Sequence, residues 1–257
     1  MKIGFIGMGN MATAIASGVI SSGFEDGKNI YAYDVDENKI KEMNSKYAIN
    51  GCKDEIDLVN SSDVIIFAVK PNIIEKVISK IKEALKNKMV ISIVAGYSND
   101  KYNELLDSST HHLTIMPNTP ALVKQGMTLF EKDNTLTQEE LAFSIKMFES
   151  VGSVEIIENY QMKAGGALTG CGPAFIYMMI EALADGAVLE GLPRAIAYKL
   201  ASQMVLGSAT MVKETGLHPG ILKDQVCSPG GITIKGVKAL EDNHFRSALM
   251  EAISKSK

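Results

Sequence analysis

The sequence has few of the residues that form disulfide frameworks or metal sites. Only three of its 257 residues are cysteine and four are histidine. Cys52, Cys171 and Cys227 show neither paired nor metal-ligand spacing, and the adjacent His111 and His112 lack the spacing of a zinc site. We therefore expect reduced thiols, which are typical of a cytosolic protein, and no bound metal.

The chain also lacks a strong charge imbalance and a long uncharged apolar run. Its net charge is −4, its pI is near 5.7 and its positive residues are scattered, which argues against a nucleic-acid partner. No apolar stretch of membrane-spanning length is free of charge, and the first apolar run turns glycine-rich at once, unlike a signal peptide. We therefore expect a cytoplasmic protein without a membrane partner. The apolar fraction of 46% allows one large domain or two modest ones.

A glycine-rich turn follows the first apolar run and leads into a helix-compatible stretch that reaches Ile20. Its pattern is G-x-G-x-x-A. Gly7 permits a tight strand-to-helix turn, Gly9 lets a pyrophosphate approach the backbone, and Ala12 lets the helix pack closely on the strand. The N–H groups and positive dipole end of that helix attract phosphate. The alternative is a turn without a ligand. We predict that the dinucleotide contacts Gly7, Met8, Gly9, Asn10, Met11 and Ala12.

An acidic cluster follows the second predicted strand, over residues 29–33. Asp34 ends that strand, where a carboxylate can accept hydrogen bonds from the adenosine ribose hydroxyls. The alternative is a turn or helix-capping residue. Asp34, Asp36 and Glu37 would repel the 2′-phosphate of NADP, so the sequence predicts a preference for NADH.

Strands and helices alternate through the first half of the chain. Apolar runs at 63–69, 89–94 and 112–116 are typical of buried parallel strands, and amphipathic stretches separate them. Further strands at 126–131 and 153–158 flank a helix over 137–150, which begins with a capping box of Thr137 and Glu140. The alternation predicts an α/β doubly wound parallel sheet.

The loops that follow these strands are candidate binding segments, because ligands of open α/β sheets lie beyond the carboxyl ends of the strands. Val69-Lys70-Pro71 and Ala95-Gly96 are placed to contact the cofactor, although Lys70 is equally explained as a solvated loop residue. Asn118 lies in a loop that two prolines stiffen, and its amide can donate and accept hydrogen bonds. A structural turn explains that loop equally well.

Helix-forming residues dominate after residue 160. We predict long helices over 173–189 and 193–213 and three shorter ones near 219–227, 232–241 and 244–254. The chain thus divides into a dinucleotide-binding domain, residues 1–160, and an all-helical domain, residues 161–257. The first long helix is apolar nearly all round, which favours burial in a subunit interface over an ordinary core.

A second loop-to-helix junction lies at Ser228-Pro229-Gly230-Gly231. Unpaired N–H groups at the start of the following helix suit a carboxylate, and the Thr233 hydroxyl offers one more hydrogen bond. The alternative is a simple turn between helices. No Ser-His-Asp, Cys-His or paired-carboxylate arrangement can be recognised. That absence fits hydride transfer to an imine, in which the cofactor supplies the chemistry.

Together these motifs resemble the pyrroline-5-carboxylate reductase family over essentially the full length of the chain. The resemblance rests on I-G-F-I-G-M-G-N-M-A at the N-terminus, A-V-K-P at 68–71, M-P-N-T-P at 116–120, L-P-R at 192–194, H-P-G at 218–220 through Asp224, and V-C-S-P-G-G-x-T at 226–233.

The resemblance implies a Rossmann domain followed by an all-helical dimerisation domain. It also implies NAD(P)H-dependent reduction of 1-pyrroline-5-carboxylate to L-proline, the last step of proline biosynthesis. The family builds its substrate site at a dimer interface and often assembles dimers into decamers. Carried over, it points to Gly230, Gly231, Ile232 and Thr233 as substrate contacts. We further predict cofactor contacts at Ala68, Val69, Lys70, Pro71, Ala95 and Gly96, substrate contacts at Asn118 and Ser228, and catalytic roles for Thr233 and Thr169.

The chain departs from the family pattern in two places. Many members have Ser, Thr or Arg near the positions of Asp34 and Asp36, so the acidic residues put a preference for NADPH in doubt. The family usually has S-G-S-G-P where this chain has T-G-C-G-P, which keeps a hydroxyl at Thr169 and loses one at Cys171.

Two alternatives to this function stay open at the level of sequence. One is a β-hydroxyacid dehydrogenase or another imine reductase, but Lys163 lacks the glycine-spaced motif that surrounds the catalytic lysine of hydroxyacid enzymes. The other is a non-catalytic dinucleotide sensor, against which the intact Ser228–Thr233 loop argues.

Overall fold

The structure is a computed structural model that describes all 257 residues. The chain forms two compact units, Met1–Gly170 and Cys171–Lys257. The division predicted from the sequence lies ten residues earlier, inside the helical stretch Asn159–Leu189 that also contains the 170/171 boundary. The domain limits 1–160 and 161–257 therefore stay a prediction.

The first unit contains one eight-stranded sheet in the order β3-β2-β1-β4-β5-β6-β7-β8. Every neighbouring pair is parallel except β6 and β7, which are antiparallel. The strands are β1 (Ile3–Ile6), β2 (Ile30–Tyr33), β3 (Asn50–Gly51), β4 (Val64–Phe67), β5 (Met89–Ser92), β6 (His111–Met116), β7 (Gly126–Glu131) and β8 (Gly152–Ile157).

Helices connect these strands and bury both faces of the sheet. Alternate residues of a strand enter different hydrophobic clusters: Val64 and Ile66 of β4 join one, whereas Ile65 and Phe67 join the other. Burial on both faces is the mark of a doubly wound sheet, as the sequence predicted. The helices of this unit are α1 (Asn10–Ser21), α2 (Glu37–Tyr47), α3 (Glu55–Ser61), α4 (Ile74–Ile81), α5 (Asn99–Leu105), α6 (Gln138–Glu149) and α7 (Met162–Gly166).

The antiparallel pair β6 and β7 departs from the predicted all-parallel sheet. Only residues 117–125 connect the two strands, and they form a short 3₁₀ turn over Thr119–Val123. A parallel return needs a crossover of about a dozen residues or more, so this connection only allows β7 to run back beside β6. The two-residue strand β3 was not predicted, whereas the capping box of Thr137 and Glu140 at α6 is confirmed.

The second unit is entirely helical. Its helices are α8 (Gly172–Leu189), α9 (Arg194–Thr215), α10 (Pro219–Val226), α11 (Ile232–Asp242) and α12 (Phe245–Lys255), close to the five predicted. Its only buried hydrophobic residues are Ala184, Ala197 and Ala201, where α8 packs on α9. Within this chain the unit therefore has almost no core of its own.

One helical stretch, Asn159–Leu189, is long and apolar enough to cross a membrane by length and composition, and 11% of its most apolar window is buried. The sequence analysis found no uncharged apolar stretch of this length, because Glu181 and Asp185 lie within it. The mean hydropathy of the stretch is nevertheless high. The helix that forms the core of a soluble protein has the same properties.

Candidate active site

The predicted cofactor residues lie at one edge of the sheet, around the point where the strand order reverses. Strands β1 and β4 are neighbours, while β2 lies on the other side of β1, so the crevice between the ends of β1 and β4 is the switch point of the sheet. Gly7 directly follows β1 with φ +95°, and a Cβ atom there would lie 2.6 Å from the Ala68 carbonyl oxygen. Glycine at position 7 is therefore required for the two loops to approach each other.

Helix α1 presents free backbone N–H groups at this crevice. Its N-cap is Gly9, which provides no side-chain capping bond. A Cβ atom built on Gly9 meets no atom of the chain within 4 Å, so the space above this backbone is open. The buried side chains of Met8 and Ala12 fix the turn on the core, while Asn10 is exposed to solvent. An uncapped helix start beneath an open glycine fits the pyrophosphate of a dinucleotide.

Asp34 lies beside this turn and is already hydrogen-bonded within the chain. Its Oδ2 accepts a 2.7 Å bond from the Met8 backbone N–H and lies 3.5 Å from the Lys39 ammonium, while its Oδ1 accepts from the Asp36 N–H at 2.9 Å. An ionised carboxylate has about four acceptor positions, so Asp34 can still accept a ribose hydroxyl. Asp36, not Asp34, caps α2 through the Asn38 N–H.

The loops after β4 and β5 are tied together by a residue that the sequence analysis missed. The Tyr97 hydroxyl donates to the Pro71 carbonyl at 3.3 Å and to Glu75 Oε1 at 3.0 Å. This bond joins the Ala68–Pro71 segment to the Ala95–Gly96 segment, in which Gly96 has φ +79°. Lys70, Ala95 and Gly96 are exposed. In the sequence, the signal for this role is an aromatic residue directly after a glycine in the loop that follows a strand.

Asn118 and Thr169 come together, although 51 residues separate them. The Asn118 side-chain amide donates to the Thr169 carbonyl at 2.9 Å, and its Oδ1 accepts from the Met127 N–H at 2.9 Å. Thr169 lies in a π-helical turn, Ala167–Cys171, and its hydroxyl donates to the Gly165 carbonyl at 3.0 Å. Single π-turns inside helices are frequent at functional sites. Asn118 is buried and holds this turn, while substrate contact by Asn118 and catalysis by Thr169 stay predictions.

The other predicted site residues form one loop at the start of α11. The Gly231 N–H donates to the Ser228 carbonyl at 3.0 Å, and Gly230 has φ +70°, which favours glycine. Gly231 is the N-cap of α11 and offers no side-chain capping bond. No hydrogen bond within the chain uses the Thr233 hydroxyl, and Ile232 is 87% exposed. Free N–H groups beside a free hydroxyl can bind a carboxylate.

These features define a class of protein. An uncapped helix start at the switch point of a doubly wound sheet, followed along the chain by an all-helical unit, is the arrangement of a dinucleotide-dependent oxidoreductase. A family model for NADP oxidoreductases, described as coenzyme F420-dependent, matches residues 2–96. A second model, described as pyrroline-5-carboxylate reductase dimerisation, matches residues 159–257.

The chain belongs to the pyrroline-5-carboxylate reductase family. It is 44% identical over 255 residues to the enzyme of that name from Escherichia coli, covering 99% of this chain and 95% of that protein. The corresponding protein of Arabidopsis thaliana is 42% identical, with coverage of 98% and 91%. The crystal structure of the Plasmodium falciparum pyrroline carboxylate reductase with NADP bound superposes with a TM-score of 0.91 at 32% identity, covering 100% and 95%.

We expect Gly9→Val to abolish dinucleotide binding and leave the fold intact. The new side chain would meet no atom of the chain, but it would occupy the space into which the pyrophosphate must approach. Calorimetric titration with NADH and NADPH measures the affinity, and thermal unfolding checks the fold. Gly236→Val is the matched control, since a Cβ atom there also meets nothing within 4 Å and its backbone is not in the left-handed region, but the residue lies in α11 of the second unit. Equal cofactor affinity in Gly9→Val and the native protein would contradict the assignment.

Proposed function

We propose that the protein catalyses the NAD(P)H-dependent reduction of 1-pyrroline-5-carboxylate to L-proline, the last step of proline biosynthesis, in the cytoplasm. The observation that carries this proposal is the 44% identity, over nearly the whole of both chains, to an enzyme named for that reaction. The two helix starts with an uncapped glycine at the N-cap, those of α1 and α11, support it, because one suits a pyrophosphate and the other a carboxylate.

In this proposal the first unit binds and orients the cofactor. The N–H groups at the start of α1 hold the pyrophosphate, and Asp34 both steadies Met8 and accepts from the ribose. The Ala68–Pro71 and Ala95–Gly96 segments contact the cofactor at the ends of β4 and β5. When bound, the nicotinamide supplies the hydride.

The Ser228–Thr233 loop binds the substrate in this proposal. The N–H groups at the start of α11 donate hydrogen bonds to the carboxylate, and the Thr233 hydroxyl forms a hydrogen bond with the ring nitrogen or the carboxylate. A protonated cyclic imine is already electrophilic, so the loop has to orient it rather than activate it. Thr233 therefore acts by holding the substrate, and the π-turn at Thr169 adds a further candidate contact.

We further propose that NADH is the better reductant. Asp34, Asp36 and Glu37 lie at the end of β2; Lys39 pairs with Asp34 and Lys41 with Glu37, which leaves Asp36 without an ion-pair partner. Asp36 is exposed and lies two residues beyond Asp34, so its negative charge disfavours a phosphate near the ribose site. The Plasmodium protein binds NADP, so the preference of this chain for NADH over NADPH has to be measured directly.

Finally, we propose that the second unit forms a homodimer through its helices, and that such dimers assemble further, up to the decamers that the family resemblance implies. An apolar groove of about 920 Å³ runs between α8, α9 and α12, and its walls include Phe175, Met179, Val205 and Leu249. Several of the residues that line this groove are exposed, among them Met178 at 68%. An exposed apolar surface of this kind on a unit with almost no core of its own favours a second copy of the same unit.

Thr233→Val should lower kcat/KM for 1-pyrroline-5-carboxylate by about ten- to a hundredfold, because a hydrogen bond to a charged group contributes roughly 1.5–3 kcal/mol. The affinity for NADH should hardly change. Absorbance at 340 nm follows the reaction, with β-hydroxyacids as alternative substrates. Thr233→Ser keeps the hydroxyl and is the matched control. If Thr233→Val changes nothing, or weakens NADH and substrate equally, the hydroxyl is structural and the Asn118 loop becomes the candidate.

The native protein should prefer NADH over NADPH by about tenfold in kcat/KM, or about 1.4 kcal/mol. Asp36→Ser should shift the ratio toward NADPH, since serine also caps a helix and only the charge is lost. Glu42→Ser on the exposed face of α2 removes the same charge farther along the helix and serves as the control. A clear preference of the native protein for NADPH would refute the interpretation of the acidic cluster.

Ala209→Glu should convert the dimer to a monomer, because it places a charge inside the apolar groove. Light scattering during gel filtration gives the mass of each form. Ser45→Glu, which adds the same charge to an exposed position of α2, should leave the mass unchanged. An unaltered dimer in Ala209→Glu would show that the groove is not the interface.

A further inference from the structure

A buried polar cluster in the first unit takes no part in the site described so far. Its members are Asn99, His112, Thr114 and Glu131, each at most 8% exposed. Glu131 is the last residue of β7, His112 and Thr114 belong to β6, and Asn99 is the first residue of α5. The cluster lies where α5 begins, three residues beyond Gly96.

The hydrogen bonds of this cluster converge on the segment that follows Gly96. Glu131 Oε2 accepts from the Asn99 backbone N–H at 2.8 Å, and Asn99 Oδ1 accepts from the Thr114 N–H at 2.7 Å. The Thr114 hydroxyl then donates to the Tyr97 carbonyl at 3.3 Å. On the other side His112 Nε2 lies 3.1 Å from the Asn99 carbonyl oxygen. Both ends of the Asn99 backbone are therefore fixed from neighbouring strands.

The carboxylate of Glu131 is a costly group to bury. Burial raises the pKa of Glu131, and the nearby Asp100 and Asp133 act in the same direction. A buried polar group costs free energy unless a hydrogen bond compensates it, and an apolar residue could end β7 without that cost. What the carboxylate supplies is an acceptor for an N–H group that α5 itself cannot satisfy, at the positive end of the helix.

The segment 95–97 depends on this anchorage. Ala95 and Gly96 are exposed, and glycine is the most flexible residue in the chain. Tyr97 is held on one side by its hydroxyl bonds to Pro71 and Glu75 and on the other by the bond from Thr114 to its carbonyl. Without the anchor at Asn99, the start of α5 and the segment before it would lose their fixed position.

We propose that Glu131 and Asn99 are positioning residues that set the affinity for the nicotinamide dinucleotide by fixing the Ala95–Tyr97 segment. This inference rests on the proposed role of Ala95 and Gly96 in cofactor binding. Neither Glu131 nor Asn99 touches the cofactor; they act through the backbone at Tyr97 and Asn99.

The test separates this role from a general contribution to stability. Glu131→Met keeps the length of the side chain and removes the acceptor, which leaves the buried Asn99 N–H unsatisfied. We therefore expect KM for NADH to rise about five- to tenfold, while kcat changes less than about twofold. Glu131→Gln keeps an acceptor oxygen and should bring KM back to within about twofold of the native value. Thr110→Val loses a buried hydrogen bond to the Leu85 carbonyl, away from the segment, and should lower the Tm without changing KM.

A milder variant and two direct measurements complete the test. Thr114→Val removes the hydroxyl that donates to the Tyr97 carbonyl and leaves the Glu131 carboxylate in place. It should raise KM for NADH about two- to fourfold, and it replaces Glu131→Met in the test should that variant not fold. Hydrogen exchange at residues 95–99 should accelerate in both variants, and calorimetry should show weaker NADH binding. An unchanged KM and exchange rate in both, or the same rise of KM in Thr110→Val, would overturn the proposal. If the native protein does not reduce 1-pyrroline-5-carboxylate, the proposed function fails, whereas exchange and NADH binding still decide the role of Glu131.

Discussion

The close approach of Gly7 to the carbonyl of Ala68 is the contact on which the rest of the cofactor end depends. The strand β1 and its neighbour β4 end side by side, and a side chain at position 7 would lie only 2.6 Å from that carbonyl oxygen. Because glycine allows both the contact and φ +95°, the chain can turn at once into α1. The Met8 N–H is then placed for Asp34, and the start of α1 faces the crevice. One residue without a side chain thus aligns a strand, a helix and a carboxylate.

The backbone N–H groups at the helix starts divide, in each unit, into those that are satisfied and those that are free. Helices α2, α3, α5 and α6 start with side-chain caps from Asp36, Asp54, Ser98 and Thr137. Seven helices have no side-chain cap, and among them only α1 and α11 have glycine at the N-cap, Gly9 and Gly231. An N–H group that the chain leaves unsatisfied at an exposed glycine is available to an anion, and a capped one is not. A side-chain cap that stabilises a structural helix would, at a binding site, use the N–H groups that the ligand needs.

The two units differ in how much of their apolar surface each buries within itself. The sheet of the first unit buries large residues such as Phe5, Phe67 and Phe130 on its two faces. The second unit buries only three alanines, while residues of the size of Met178 and Leu189 stay exposed. Hydrophobic burial is the main stabilising contribution to a fold, so the second unit needs an apolar partner surface, whereas the first unit has its own core.

The sequence alone determined the features that depend on neighbouring residues. The glycine turn, the capping box at Thr137, the left-handed end of α9 at Gly216 and the bounds of the long helices all follow from local geometry and periodicity. The family also followed from the sequence, because its motifs are short and contiguous. The site segments at the ends of β1, β4 and β5 could be named in the same way, since the position of a loop after a strand is a local property.

Only the tertiary structure decided the contacts between distant residues. The antiparallel pairing of β6 with β7 and the bond from Asn118 to Thr169, 51 residues apart, leave no periodic signal. The same holds for Asn99 and Glu131, which are 32 residues apart and meet only because α5 starts beside the end of β7. A hydrogen bond requires two groups to come within about 3 Å, and for distant residues the packing of the whole sheet determines that distance.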